Sequence, residues 1–252
     1  MMNREIAPYV AFGAPRSPST NEVLLALPPV VLSRLETRIQ RVRLHDVLLA
    51  MPSDPVTLYF PHRGTVLSLV CTTDTGSQLE VALIGPEGFI SVESLIRRGA
   101  IDSSAIVLAE GDVTCVSAMR LRAEFASDSR TRTVLLDYLA LYVQHLTQNV
   151  VCSRIHSIEQ RLSKWLLALR DRAADDGIHV SHDLLSKMLG IQRSSVTLAI
   201  GNLNADGIVE RGRESIRVID ANALAGRACE CFEMMQRNLD QYRAQRTARG
   251  AA

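Results

Sequence analysis

Ser181-His182-Asp183-Leu184-Leu185-Ser186-Lys187-Met188-Leu189-Gly190-Ile191-Gln192-Arg193-Ser194-Ser195-Val196-Thr197-Leu198 has the pattern of two short helices joined at a glycine. Leu184, Leu185, Met188 and Leu189 fall on one face at helical spacing. Gly190 supplies a turn that needs positive φ, and Val196, Ile200 and Leu203 restart the apolar pattern. This predicts a helix-turn-helix. The side chains left over are Gln192, Arg193, Ser194, Ser195 and Thr197 at the start of the second helix, with Ser181 ahead of the first. Such groups can reach base edges and phosphates. A helical hairpin buried in an ordinary core has the same apolar spacing, so the flanking sequence has to decide.

Downstream, Ala205-Asp206-Gly207 stops the second helix, and residues 208–219 read as two strands around a tight basic turn. A hairpin directly after a helix-turn-helix is a wing, and Arg211 and Arg213 at its tip are placed to meet a phosphate backbone. Upstream, Ile178-His179-Val180 is a short strand. Ser157-Ile158-Glu159-Gln160 is a capping box that starts a helix with the stripe Ile158, Leu162, Trp165 and Leu169. Before it, Leu136, Leu139, Val143, Leu146 and Val150 repeat at spacings of three and four, which predicts a long helix over about 131–154 with a coiled-coil seam. Packing only on its own domain is the bland alternative, and the regularity favours pairing with a second copy. The step of five from Val150 to Ile155 breaks the phase and marks a hinge.

Residues 39–119 change to short alternating or apolar runs, including 57–60, 65–70, 79–84, 104–108 and 113–117, separated by turn signals such as Gly85-Pro86-Glu87-Gly88. Many short strands so punctuated predict an antiparallel sandwich or barrel. The fold class is therefore α+β, with five parts: a mobile tail (1–20), a β-barrel sensor domain (21–130) opened by two short helices, a dimerisation helix and hinge (131–156), a winged helix-turn-helix (157–220), and a C-terminal helix and tail (221–252). The last helix is expected over 221 to about 242, with frayed residues after it.

The 252 residues carry a net charge of +1, so bulk charge does not argue for nucleic acid. Residues 157–220 hold nine Lys/Arg and nine Asp/Glu, and any phosphate contact must come from a local patch. Five cysteines without a C-x2-C pair suggest neither a disulfide framework nor a metal site. Cys229-x-Cys231 is expected to point its thiols to different sides of a helix. No apolar run approaches a membrane span, and a cytoplasmic protein is expected. No catalytic constellation or phosphate-cradling loop stands out, so an enzyme is not expected.

Barrel, long helix, capped hinge and winged helix, in this order, resemble the Crp/Fnr superfamily of bacterial transcription regulators. The most specific pieces are residues 84–89, residues 154–167 and residues 189–197. The resemblance implies a homodimer on near-palindromic double-stranded DNA, with RNA polymerase as a further partner. In the family's reader an arginine and a glutamate contact bases. Here Arg193 matches the arginine, Ser194 stands at the glutamate, and Leu198 stands at a second arginine, so the usual half-site is not implied. In cyclic-nucleotide-binding members a carboxylate holds the ribose and an arginine the phosphate. Here Val92 replaces the carboxylate unless Glu93 serves, and the arginine position falls at Asp102 or Ser103. An effector pocket would be lined by Phe89, Ser91, Val92, Glu93, Ser103 and Ser104, with a ligand other than cyclic AMP.

No cysteine precedes Cys71, which excludes the N-terminal iron–sulfur arrangement of oxygen-sensing relatives. Haem would have to use His45, His62 or Cys71, but lone His and Cys on a barrel are usually satisfied locally, so no cofactor is expected. A ligand-binding or protein-interaction dimer with a vestigial helix-turn-helix is the alternative function. It predicts dimerisation without salt-dependent DNA binding.

Overall fold

The computed structural model describes residues 19–49, 57–96, 103–173, 175 and 177–250. The expected tail lies, up to residue 18, outside the described residues, as does Asp102. Helix α1 (Glu22–Ala26) is capped by the buried Asn21, whose amide oxygen accepts from Val23 and Leu24 while its Nδ2 donates to Pro61 O and Gly88 O. All of its polar capacity is thus used to fasten α1 to the sheets. Helix α2 (Pro29–Arg34) follows, opened by proline at its first position.

Strands β1 (Arg38–Val42), β2 (Val47–Leu49), β3 (Thr57–Pro61), β4 (Val66–Thr72) and β5 (Gln78–Ile84) lead to a short α3 (Glu93–Ile96), then β6 (Ser103–Ala109) and β7 (Gly111–Ser117). Among the described residues the strands of this domain pair antiparallel into two sheets, β1-β7-β3 and β2-β6-β4-β5, as the expected antiparallel β-domain requires. The period of two assigns each side chain to a layer. Leu67, Leu69, Ala82, Ile84, Ala105 and Val107 enter the core of the sensor domain. Their neighbours Val66, Leu83 and Leu108 face the other way, into the core of the helix-turn-helix region. The four-stranded sheet is therefore covered on both sides, and the C-terminal unit shares a core with the sensor domain.

Helix α4 (Ala118–Ser127) leads into α5 (Ser129–Ile155), a 27-residue helix capped by Asp128. Leu135, Tyr138, Leu141, Tyr142, His145 and Cys152 are buried on it. Gly88 lies beneath Tyr138, whose ring occupies the place a Cβ would take, and Tyr138 Oη donates to Phe89 O at 2.8 Å. The opposite face of α5 is open. Leu136, Val143 and Val150 are 48%, 56% and 64% exposed, while Leu139 and Leu146 are half-buried against the sensor core.

The chain breaks at His156 and restarts as α6 (Ile158–Ala173). Ser157 and Gln160 cap it reciprocally, with Ser157 N donating to Gln160 Oε1 at 3.0 Å and Gln160 N to Ser157 Oγ at 3.3 Å. Strand β8 (Gly177–Ile178), α7 (His182–Leu189), α8 (Arg193–Ala205), β9 (Val209–Arg211) and β10 (Ile216–Val218) complete a winged unit with sheet order β8-β10-β9.

The stretch expected to be one helix from 221 is two, α9 (Ala221–Arg227) and α10 (Cys231–Gly250). Cys229 sits in the break and Cys231 opens α10, so their thiols do not point to different sides. Both turn toward Cys152. Helix α10 does not fray at 242. It runs to Gly250 along α5, burying Leu239 and Tyr242 in the sensor core, with Arg243 and Arg246 on Glu22 and Arg249 on Asp137.

Candidate nucleic-acid interface

Gly190 adopts φ +63°, the left-handed conformation that joins α7 to α8, and Leu79 of the sensor sheet packs where its Cβ would be. Val196, Ala199, Ile200 and Leu203 bury one side of α8. Gln192, Arg193, Ser194, Thr197 and Leu198 are exposed on the other, and Ser195 is half-buried at the edge. No side chain caps the start of α8, where Gln192 stands in extended conformation.

Two of the residues expected at this surface are engaged within the fold. Ser181 caps α7, accepting from Leu184 N at 3.1 Å. Thr197 Oγ1 donates to Arg193 O at 3.0 Å and lies 3.0 Å from His182 Nδ1. On the wing, Arg211 closes β9 with its amide held by Asn204 Oδ1, and Arg213 is exposed in the turn between the strands. Burial lowers the pKa of His182, and the guanidinium groups of Arg211 and Arg193 lower it further. The wing and the start of α8 thus turn positive charge toward one place, despite the neutral balance of the unit. His182, which joins them there, was not marked by sequence reasoning, because a helix-opening histidine has no periodic signature.

The sensor-side residues do not gather in the same way. Phe89 is fully buried and stacked between Phe60 and Tyr138, at ring centroid distances of 4.6 and 4.7 Å. Ser91, in left-handed conformation, and Val92 are buried, Glu93 is exposed on α3, and Ser104 is half-buried on β6. Ser103 opens β6. His62 is buried with Nε2 2.7 Å from Thr114 Oγ1, while His45 and Cys71 are exposed, so these three form no common ligand set.

What the sequence does not mark is the seam between sheet and winged unit. Glu87, in the turn after β5, accepts from Arg172 Nε at 2.7 Å, with both side chains nearly buried. Burial pushes the Glu87 carboxyl up, but Arg172 and the Gly85 amide outweigh it and hold its pKa below the usual range. Glu80 of β5 accepts from Ser68 Oγ at 2.7 Å and from Trp165 Nε1 of α6 at 2.8 Å. Asn149 of α5 donates to Val81 O and accepts from Lys164 Nζ. An open groove lies between the β4–β5 turn (Gly76, Ser77, Gln78) and the helix-turn-helix (Lys187, Gly190, Gln192).

Residues 160–227 match the family model of the Crp-like helix-turn-helix domain. The chain carries a Crp-like helix-turn-helix domain. Its overall fold is that of solved Crp/Fnr proteins. A putative Crp/Fnr-family transcriptional regulator from Eubacterium rectale aligns with TM-score 0.65 at 14% identity, over 86% of this chain and 98% of that one. FixK2 from Bradyrhizobium japonicum aligns with TM-score 0.64 at 18% identity, over 77% and 98%. A Crp/Fnr-family regulator from Thermus thermophilus gives 0.63 at 20% identity, over 76% and 98%. Among curated proteins none matches the sequence. Within the Crp-like domain, α8 and the wing are the surface described above. No helix among the described residues is long and apolar enough to cross a membrane.

Proposed function

We propose that the protein is a homodimeric, DNA-binding transcription regulator that reads a near-palindromic site. The observation that carries this is α8: one side is packed into the Crp-like domain, while Gln192, Arg193 and Ser194 stand exposed at its uncapped start, beside Arg211 and Arg213 of the wing. Arg193 reads a base, Arg211 and Arg213 meet phosphates, and Gln192 and Ser194 supply the remaining base contacts. Selection on random duplex DNA should return a motif. Arg193→Ala should weaken binding to it by about 1–3 kcal/mol, roughly five- to 150-fold, and relax the preference at one base pair. Selection that enriches no sequence, or an unaltered affinity for Arg193→Ala, would overturn the reading.

The open stripe Leu136, Val143 and Val150, edged by Leu139 and Leu146, is the dimer seam of this proposal. It repeats every seven residues on the face of α5 that its own chain leaves bare. Two readers then sit about one DNA turn apart. Val143→Glu puts two carboxylates into the seam. It should shift the sedimenting species from dimer to monomer and cost about a hundredfold in affinity for the full site, with little effect on a half-site. A variant that remains dimeric would place the interface elsewhere.

The effector is one other than cyclic AMP or an iron–sulfur cluster. Val92 puts a buried apolar side chain where the resemblance calls for a carboxylate, and cyclic AMP is expected to leave DNA affinity unchanged. A signal acts by shifting α5 and the sheets relative to the hinge at 155–157, which changes the spacing of the two readers.

A further inference from the structure

Cys152 and His156 end α5 one helical turn apart, and Cys229 in the α9–α10 break and Cys231 at the start of α10 follow more than seventy residues later. The fold brings the four together. Cys152 Sγ lies 3.6 Å from Cys229 Sγ, and Cys231 Sγ lies 3.4 Å from His156 Nδ1. All four donor atoms fall within 4.8 Å of one another. The three thiols are buried and form a cluster of their own. All are free.

We infer that Cys152, His156, Cys229 and Cys231 bind a single zinc-class divalent ion. Tetrahedral zinc, with bonds of about 2.3 Å to sulfur and about 2.0–2.1 Å to nitrogen, spaces its sulfurs about 3.8 Å apart and sulfur from nitrogen about 3.5 Å. The Cys152–Cys229 and His156–Cys231 separations match that geometry, and the remaining pairs, all within 4.8 Å, need only a small inward shift to reach it. Three sulfurs and one imidazole nitrogen are a closed structural zinc set, whereas an iron–sulfur cluster would spread its ligands over several irons. A disulfide would use two of the four donors and leave the convergence of the others without a reason.

The surroundings point the same way. His156 Nε2 faces Glu230 Oε1 at 3.1 Å, which fixes the tautomer with the proton on Nε2 and the Nδ1 lone pair toward the thiols. A carboxylate behind a ligating imidazole is the usual outer partner of a bound metal. Gln148 Nε2 donates to Cys231 Sγ at 2.9 Å, a contact suited to a sulfur carrying negative charge. On binding, the ion displaces the thiol protons to solvent. The site joins the hinge end of α5 to the base of α10, whose far end is held at α1 by Arg243, Arg246 and Glu22.

Metal analysis of full-length protein purified under reducing conditions should find one zinc per chain. After chelation, titration with cobalt should give thiolate-to-cobalt charge transfer and the visible bands of tetrahedral cobalt, saturating at one equivalent. Cys229→Ser and Cys231→Ser should abolish both signals, and Glu230→Gln should weaken affinity about ten- to a hundredfold. The cobalt titration uses the unaltered chain, so it stands whether or not a variant folds. The idea is overturned if folded wild-type protein gives only the octahedral aquo-cobalt spectrum, if Cys229→Ser combined with Cys231→Ser keeps its metal, or if the protein is isolated with a Cys152–Cys229 disulfide and no metal. None of these measurements involves DNA, so they leave the proposed regulator function to its own test.

Discussion

Replacing Arg172 with leucine should cost about 3–5 kcal/mol of folding stability, because it strands the Glu87 carboxylate in a place with no water to receive it. Both groups are nearly buried, their contact is 2.7 Å, and Glu87 Oε1 also accepts from the Gly85 amide at 3.2 Å. Arg172 also donates to Ala168 O within α6, which orients the guanidinium before Glu87 is met. The pair joins the end of α6 to the turn after β5, so the loss falls on the docking of the Crp-like domain against the sensor sheet. Urea unfolding followed by fluorescence of Trp165, the one tryptophan, reports at that seam. The control is Glu87→Leu combined with Arg172→Leu. Removing both charges removes both desolvation costs, so the double variant should recover most of the loss. A single variant within about 1 kcal/mol of wild type, or a double variant no better than the sum of the singles, would mean that the pair contributes little.

The elements of the fold that are legible in the sequence are those whose causes are local. The capping box at Ser157 and Gln160 locates the hinge, because its two hydrogen bonds join residues three apart. Gly190 and the apolar face of α7 announce the helix-turn-helix. Strand β1 goes unmarked because Arg38, Gln40 and Arg41 break the apolar alternation, and it exists by pairing with β7, about seventy residues away. The same distance in sequence hides the seam. A strand with Glu80 on it reads as facing water, and only the fold shows that Ser68 and Trp165 stand over it. Of the reader surface, Arg193 and the wing arginines are legible by type and place. That the Ser181 and Thr197 hydroxyls are taken up by a helix cap and by Arg193 O is a matter of rotamers, which spacing does not carry. The cysteines are the sharpest case. Ligand spacing rules look within a short stretch, and here two ligands come from the hinge and two from the break before α10.

The stability of the wild-type protein relative to Glu80→Gln should fall as pH rises from about 4.5 toward 7. Burial pushes the Glu80 carboxyl up to about 7, against the pull of its hydrogen bonds from Ser68 and Trp165 and of the nearby Lys164 and Arg172 charges. The folded protein therefore holds a proton at Glu80 through a range in which the unfolded chain, titrating near 4.5, has released it. A group whose folded pKa is raised contributes stability that is complete below the unfolded value and is lost as pH climbs through the folded one. The displacement corresponds to on the order of 3 kcal/mol. Glutamine keeps an oxygen for the Trp165 N–H and offers its amide hydrogens to Ser68, whose hydroxyl can turn to accept, so the variant should match wild type near pH 4.5 and exceed it at pH 8. His145, held down to about 4 by burial, works in the other direction as pH falls, since the unfolded chain then takes up a proton that the folded one refuses. That contribution is common to both proteins and cancels in their difference. Because Glu80 and Ser68 belong to the sheet and Trp165 to α6, the energy at stake is that of docking the two units, and Trp165 fluorescence should track it. Equal pH slopes in the two proteins, or a variant weaker than wild type at pH 8, would show that Glu80 is ionised and well solvated in the folded state.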